Sequence, residues 1–298
     1  MSVETARVSG QPVPARPAAT VVVLRDGPAG LEVYLQRRTR TMGYAAGLWV
    51  FPGGAIDQAD QDPAVDAVWA GPSPAAWAER LGHGLEQARG AVVAACRECL
   101  EEAGILLADR SPDVAALDAA RRELLAGRQG LAGVLTGLGV RLDTARLRYW
   151  AWWVTPEPEP RRYDTRFFIA GLPAGASATM HQLEAERERW FPVTGSAPAQ
   201  PAPPGATAPL PEPPDSPHPP GATAPLPEPP DPLRMLPPTF CTLRELSAFG
   251  SVAEVFEAAD GRVVERILPT HADNAVVLPS GERIPVPFRP SAAAGGRP

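Results

Sequence analysis

The chain has 298 residues and no lysine; all 28 of its basic side chains are arginine. That absence excludes a Walker-A phosphate loop and any Schiff-base chemistry, since both need a lysine amine. Cysteine is scarce too: Cys96, Cys99 and Cys241 are too few for a disulfide framework. Cys96 and Cys99 form a C-x-x-C on the apolar side of a helical pattern. No second pair completes a zinc site, so they read as small buried hydrophobes. No apolar run approaches the roughly 20 residues that span a bilayer. The N-terminal MSVETARVSGQPVPARPAA has no continuous apolar core and does not read as a secretory signal. An excess of positive charge is missing as well; the net charge of −6 argues against a nucleic-acid-binding surface. The expectation is a cytoplasmic protein with neither a membrane nor a nucleic-acid partner, its oligomeric state left open.

The hydrophobic periodicity predicts an α/β chain. Ala19–Leu24 and Leu31–Gln36 read as strands around a turn, followed by arginines Arg37, Arg38 and Arg40. A short strand, Leu48–Phe51, runs into Pro52-Gly53-Gly54. Ser73-Pro74 pairs a capping residue with a proline at the first helical position, predicting a short helix through Leu81. Longer helical patterns cover Glu86–Leu107, Asp113–Ala126 and Leu131–Leu138. Strand chemistry returns at Leu147–Val154, Arg166–Ala170 and Glu184–Trp190. Pro203–Asp215 (PPGATAPLPEPPD) is then repeated letter for letter at Pro219–Asp231. Its proline density predicts an extended, disordered spacer with too little apolar content for a core. Beyond it, helices at Leu243–Phe249 and Val252–Ala259 precede a closing hairpin of Val263–Leu268 with Asn274–Leu278. The domain reading is a flexible N-terminus (1–18), an α/β domain (19–195, with an insertion at about 61–89), the linker (196–235) and a C-terminal part (236–298) completing the domain.

The stretch RECLEEAGI, Arg97–Ile105, carries three glutamates within about 100° of one helix face. Like charges at this spacing repel by roughly 0.2–0.5 kcal/mol per pair. Val92, Val93, Cys96, Cys99, Leu100 and Ala103 form an apolar stripe opposite, and Ala91, Ala94 and Ala95 leave the acidic face unobstructed. Arg97 stands one turn from Glu101 and can orient its carboxylate. A solvated acidic face is the ordinary meaning of clustered glutamates. Here the cluster sits inside R-E-U-x-E-E-x-G-U, with U apolar, and hard carboxylate oxygens suit Mg²⁺ or Mn²⁺.

That pattern resembles the second half of the Nudix box, G-x5-E-x7-R-E-U-x-E-E-x-G-U. Phe51-Pro52-Gly53-Gly54 looks like its beginning, and counting from Gly54 puts Asp60 where the box has glutamate. Residues Gln61–Cys96, 36 in all, then stand where the box has seven, an insertion of 29. A box split this way resembles the Nudix subgroup containing the animal type-19 enzymes, coenzyme A diphosphatases. Val92–Ala95, Trp153–Glu157, Arg162–Phe168 and Leu236–Thr239 also look like that subgroup.

The resemblance implies a Nudix-type α/β/α sandwich with a mixed sheet and an inserted helical segment. It implies a metal-dependent diphosphatase that cleaves a nucleoside diphosphate joined to a group X. Coenzyme A or acyl-CoA is the leading substrate, giving 3',5'-ADP and (acyl)phosphopantetheine. ADP-ribose or NADH, or non-catalytic nucleotide binding by a regulator, are the alternatives. Glu98 and Glu102 would be the principal metal ligands and Glu101 a further one. The Gly53 carbonyl would complete the coordination, and Arg97 would orient the glutamates. Arg37, Arg38, Arg40, Arg162 and Arg166 are the candidates to hold phosphates.

Overall fold

The computed structural model describes residues 12–193, 234–272 and 275–286. The duplicated proline segment at 203–231, expected to be a spacer, lies outside the described residues.

The framework is one mixed sheet with a helical layer on each face. In chain order the first strands are β1 (Arg16–Gly27), β2 (Gly30–Arg38), β3 (Trp49–Val50) and β4 (Gly53–Ala55). Two 3₁₀ turns, Gln58–Gln61 and Pro63–Val68, lead to the short β5 (Trp69–Ala70) and helices α1 (Pro74–Leu81) and α2 (Leu85–Ala103). Helices α3 (Val114–Leu125) and α4 (Leu131–Leu138) follow, then β6 (Leu142–Asp143), β7 (Leu147–Val154), β8 (Tyr163–Gly171) and β9 (Ala185–Pro192). The C-terminal part holds α5 (Pro237–Leu246), α6 (Val252–Asp260), β10 (Arg266–Ile267), β11 (Thr270–Ala272), β12 (Ala275–Val277) and β13 (Arg283–Pro285). The sheet order is β10-β7-β8-β1-β2-β3, with β4 pairing β1 and β9 pairing β2. Strand β1 runs parallel to β8 and antiparallel to β2 and β4.

Strand alternation builds the two cores. Ala19, Val21 and Val23 of β1 point toward α1 and α2, whereas Val22 and Leu24 point toward α5 and α6. On β7, Trp150 and Trp153 fill the second core. Trp152 stays half-buried beneath Arg166, whose guanidinium carbon lies 3.8 Å from the ring centre. Trp77 of α1 is fully buried in the first core, edge-on to Phe168 at 5.7 Å.

Three expectations need correction. The α2 helix ends at Ala103, not Leu107. Gly104 takes a left-handed φ of 68°, its N–H reaches Leu100 O (3.0 Å), and Ile105 N–H reaches Cys99 O (3.3 Å). This glycine-closed end turns the apolar Ile105-Leu106-Leu107 off the helix axis. The closing hairpin also differs: β10 pairs in parallel with β7, and β12 sits between β11 and β13 in a separate sheet. Helix α5 begins at Pro237, earlier than expected, because prolines fit its first turn, where N–H groups have no intrahelical partner. No helix among the described residues is long and apolar enough to cross a membrane.

Truncating Trp77 to alanine removes the largest side chain between α1 and the sheet. The expected loss is about 3–5 kcal/mol, measurable by urea denaturation.

Candidate functional site

Helix α2 is buried along most of its length, which explains its small residues. Ala91, Ala94 and Ala95, expected to leave an open approach, are packed into the core instead. The helix lies so close to the sheet that larger side chains have no room. Its last turns therefore carry Arg97, Glu98 and Glu102 into buried positions, each no more than 9% exposed. The ordinary solvated acidic face is not what forms.

The paired glycines explain how the carboxylates fit. A Cβ on Gly54 would lie 2.2 Å from Glu98 Oε1, and one on Gly53 would lie 2.6 Å from Ala19 O. Neither glycine has a positive φ; both are needed for close approach. Gly53 also donates its N–H to Glu102 Oε2 (3.0 Å). Gln36 Nε2, on the neighbouring β2, donates to the same oxygen (2.5 Å).

Arg97 is the hub. Its Nε and Nη2 hold Asp60 at 2.9 and 3.0 Å, Nη1 holds Glu98 (2.9 Å) and Glu101 (2.8 Å), and Nη2 also donates to Ala55 O (3.0 Å). Asp60 is 2% exposed and also accepts the Asp57 N–H (2.8 Å). The shorter acid at this position thus anchors the arginine through a two-bond fork.

A second chain segment closes the site. Thr179 N–H and His181 N–H cap Ala103 O (2.8 Å) and Glu102 O (3.0 Å). Arg121 of α3 donates to Glu101 O (Nε 3.1 Å, Nη2 2.8 Å) and to Thr179 O (2.9 Å). A cation at a helix C-terminus suits the helix dipole. This capped segment carries Glu184, whose carboxyl hydrogen-bonds that of Glu102.

The electrostatics follow from burial. Desolvation pushes the Glu98 carboxyl up to about 7, with Arg97 opposing the rise and Glu101 adding to it. Burial raises Glu101 and holds Glu102 well above the carboxylate range, the latter helped by Glu98 and Glu184. The carboxyls outnumber the guanidiniums facing them, so a hard cation fits the donor set chemically. Among the described residues, however, no three His, Cys, Asp or Glu side chains stand in a metal-ligating arrangement. Arg97, Gln36 and the Gly53 N–H hold the glutamate oxygens.

The five arginines named as phosphate holders separate into two groups. The pairing of β2 with β9 shifts register between Arg37 and Arg38, a device that re-aims side chains. Arg38 Nη1 then lies 3.8 Å from Glu102 Oε1, while Arg37 Nε meets Glu186 (3.1 Å) and Gly47 O (3.3 Å). Arg40 is exposed on the loop that follows. Arg162 is instead committed to the backbone, donating to Thr155 O (3.1 Å) and Val13 O (2.7 Å). Arg166 is held by Asp164 and His83. His83 precedes α2, whose opposite end carries the glutamates, so the Arg166 guanidinium is directed away from them. Gln36, Glu184 and Arg121 were not anticipated, since none belongs to a spaced motif.

No protein-family model matches the chain. Among solved structures, a NUDIX hydrolase from Alicyclobacillus acidocaldarius is similar with a TM-score of 0.61 and 26% identity, over 82% of this chain and 96% of that one. The NUDIX domain of Shewanella oneidensis NrtR, complexed with ADP ribose, is similar at TM-score 0.33 and 14% identity (61% and 75% covered). A MutT NUDIX hydrolase from Burkholderia pseudomallei is similar at TM-score 0.31 and 18% identity (61% and 85%).

Two outcomes test the network. Asp60→Ala leaves Arg97 buried without its two-bond partner and is expected to cost about 3–5 kcal/mol in chemical denaturation. In EDTA, the folded protein keeps a proton on Glu98 that the unfolded chain has already released between pH about 4.5 and about 7. Stability should therefore fall as pH rises through that window, and Glu98→Gln should flatten the slope.

Proposed function

We propose that this chain, whose fold is similar to that of a NUDIX hydrolase, acts on a phosphorus anhydride and splits the diphosphate of a nucleoside diphosphate-X compound. The observation carrying the proposal is the convergence of Glu98, Glu101, Glu102 and Glu184 on one buried locus, braced by Arg97. Glu98 and Glu102 are the proposed principal ligands of Mg²⁺ or Mn²⁺, with Glu101, Glu184 and the Gly53 carbonyl as further donors. The cation supplies charge neutralisation of the diphosphate and a more acidic water.

In the reaction, water oxygen bonds to one phosphorus and the bridging oxygen leaves on the other phosphate. The proton lost by the attacking water goes to a carboxylate of the cluster. Glu98, held by Arg97 Nη1 at 2.9 Å, is the proposed acceptor. Arg97 keeps Glu98 and Glu101 oriented. Arg38, beside Glu102, and the exposed Arg40 are the proposed phosphate contacts on the open side, with Arg37 at their base.

Coenzyme A or acyl-CoA is the proposed substrate, giving 3',5'-ADP and (acyl)phosphopantetheine. This choice rests on the split-box reading and the likeness of Trp153–Glu157, Arg162–Phe168 and Leu236–Thr239 to the coenzyme A diphosphatase subgroup. ADP-ribose or NADH is the alternative, because the glutamate locus engages only the diphosphate and surrounding loops select X.

The protein is to be incubated with Mg²⁺ or Mn²⁺ and CoA, ADP-ribose, NADH and dinucleoside polyphosphates, with products resolved by chromatography. Cleavage of CoA to 3',5'-ADP, and a fall in kcat of at least about a hundredfold in Glu102→Gln, are expected. Turnover of ADP-ribose alone would move the assignment to the alternative, and no turnover of any compound would sink it.

A further inference from the structure

Gln36 does not belong to any motif, yet it is 1% exposed and contacts the most buried glutamate of the site. It stands on β2 between two pairing strands, opposite Val50 of β3 and Glu188 of β9. Its backbone is therefore fixed from both sides, the kind of support that makes a side chain's placement reproducible.

Its carboxamide is used by halves. Nε2 donates to Glu102 Oε2 at 2.5 Å, on the oxygen that also receives the Gly53 N–H at 3.0 Å. Gln36 Oε1 is buried and has no hydrogen-bond partner. Turning the amide over would withdraw the donor from Glu102 Oε2, so the observed orientation is the one that keeps Oε2 an acceptor, as the Gly53 N–H on the same oxygen also does. A position serving only to fill the space above the sheet would be better occupied by an apolar side chain, with no orphaned acceptor. The unsatisfied half of Gln36 is thus a cost tolerated for the sake of the half that reaches Glu102.

Two donors on Oε2 leave Glu102 lopsided. Apart from these the carboxyl meets only Arg38 Nη1, 3.8 Å from Oε1 and beyond hydrogen-bond distance, and the Glu184 carboxyl, an acid–acid contact whose proton a cation would replace. We propose that Gln36 is a positioning residue that, with the Gly53 N–H, locks Glu102 Oε2 and so presents Oε1 to a divalent cation. The inference rests on the metal-dependent reading above. It assigns to a strand glutamine the task of holding a ligand that the motif alone would treat as free to rotate. Outer-shell partners of this kind set how tightly a ligand binds rather than how substrate is recognised.

The test uses Mn²⁺ alone, with free ion counted by electron paramagnetic resonance during titration of the full chain. Gln36→Met keeps length and removes the donor. Its Mn²⁺ affinity should drop about ten- to a hundredfold, while KM at saturating Mn²⁺ stays within about twofold of wild type. In a Glu102→Gln background the same change should produce no further loss, because the two residues act as one unit. Wild-type affinity in Gln36→Met, or an equal loss in both backgrounds, overturns the proposal while leaving the metal-dependent function standing. If the wild-type chain itself binds no Mn²⁺, both readings fall together. Should circular dichroism show that Gln36→Met is unfolded, Gln36→Leu takes its place, and failure of both to fold overturns the positioning role in favour of a structural one.

Discussion

Arg97 is a guanidinium inserted where the interior leaves little water to solvate it, and four acceptors converge on it. Asp60 takes two of its N–H bonds, Glu98 and Glu101 share another nitrogen, and Ala55 O completes the set. The partners come from three elements: Asp60 from the 3₁₀ turn after β4, Glu98 and Glu101 from α2 itself, and Ala55 from the end of β4. The bonds hold α2 against β4 at the place where Gly53 and Gly54 admit the glutamate oxygens. A lysine there would offer a single point charge with no fork to bind Asp60 while also spanning Glu98 and Glu101. A buried ion network of this kind contributes little net stability compared with an apolar core. What it contributes is a defined placement for acidic groups that would otherwise repel one another.

That placement explains why the acidity of the cluster is displaced upward rather than downward. Arg97 lowers Glu98 and Glu101, but burial raises both more. Glu102 has Gly53 and Arg38 to stabilise its charge, and these are outweighed by desolvation, Glu98 and Glu184. The site is electrostatically short of positive charge in the direction a bound dication would correct. The same imbalance would be wasteful in a merely structural helix, where Ala or Leu would pack at no electrostatic cost.

Much of the fold was legible because local rules and tertiary packing agree. Ser73 caps α1 at Ala76 N–H, and α4 and β7 run over the residues that periodicity marked, Leu131–Leu138 and Leu147–Val154. The helix pattern overran at Ile105–Leu107 because three apolar residues satisfy a helical stripe and a core crossing equally well. Only the Gly104 backbone decides between them. The C-terminal pairing was misjudged for a different reason: β10 is two residues long, and its partner β7 lies more than a hundred residues away. At the site, the glutamates and Arg97 share one helix, so spacing alone gathers them. Gln36 and Glu184 reach Glu102 from other strands and loops, 66 residues upstream in the case of Gln36. No local signal marks either.

Asp60 and Arg97 meet across 37 positions of sequence, whereas the uninterrupted pattern would separate them by about eight. On the split-box reading, the extra length costs about 1.4 kcal/mol in loop-closure entropy, since closure grows only with the logarithm of length. The intervening chain is also far from a free loop. Arg89 grips Asp66 through two bonds of 2.9 Å, Asp62 caps the turn at Ala64 N–H, and Trp77 buries itself against Phe168. These contacts order the segment independently of Arg97, so most of the entropy of the excursion is met within the excursion itself. A motif can therefore be interrupted at little thermodynamic penalty, provided the inserted chain brings its own core and the two halves keep a strong, directional pair to find each other. Asp60 and Arg97 are that pair, and the shorter carboxylate at position 60 is the form that fits a fork closed at 2.9 and 3.0 Å.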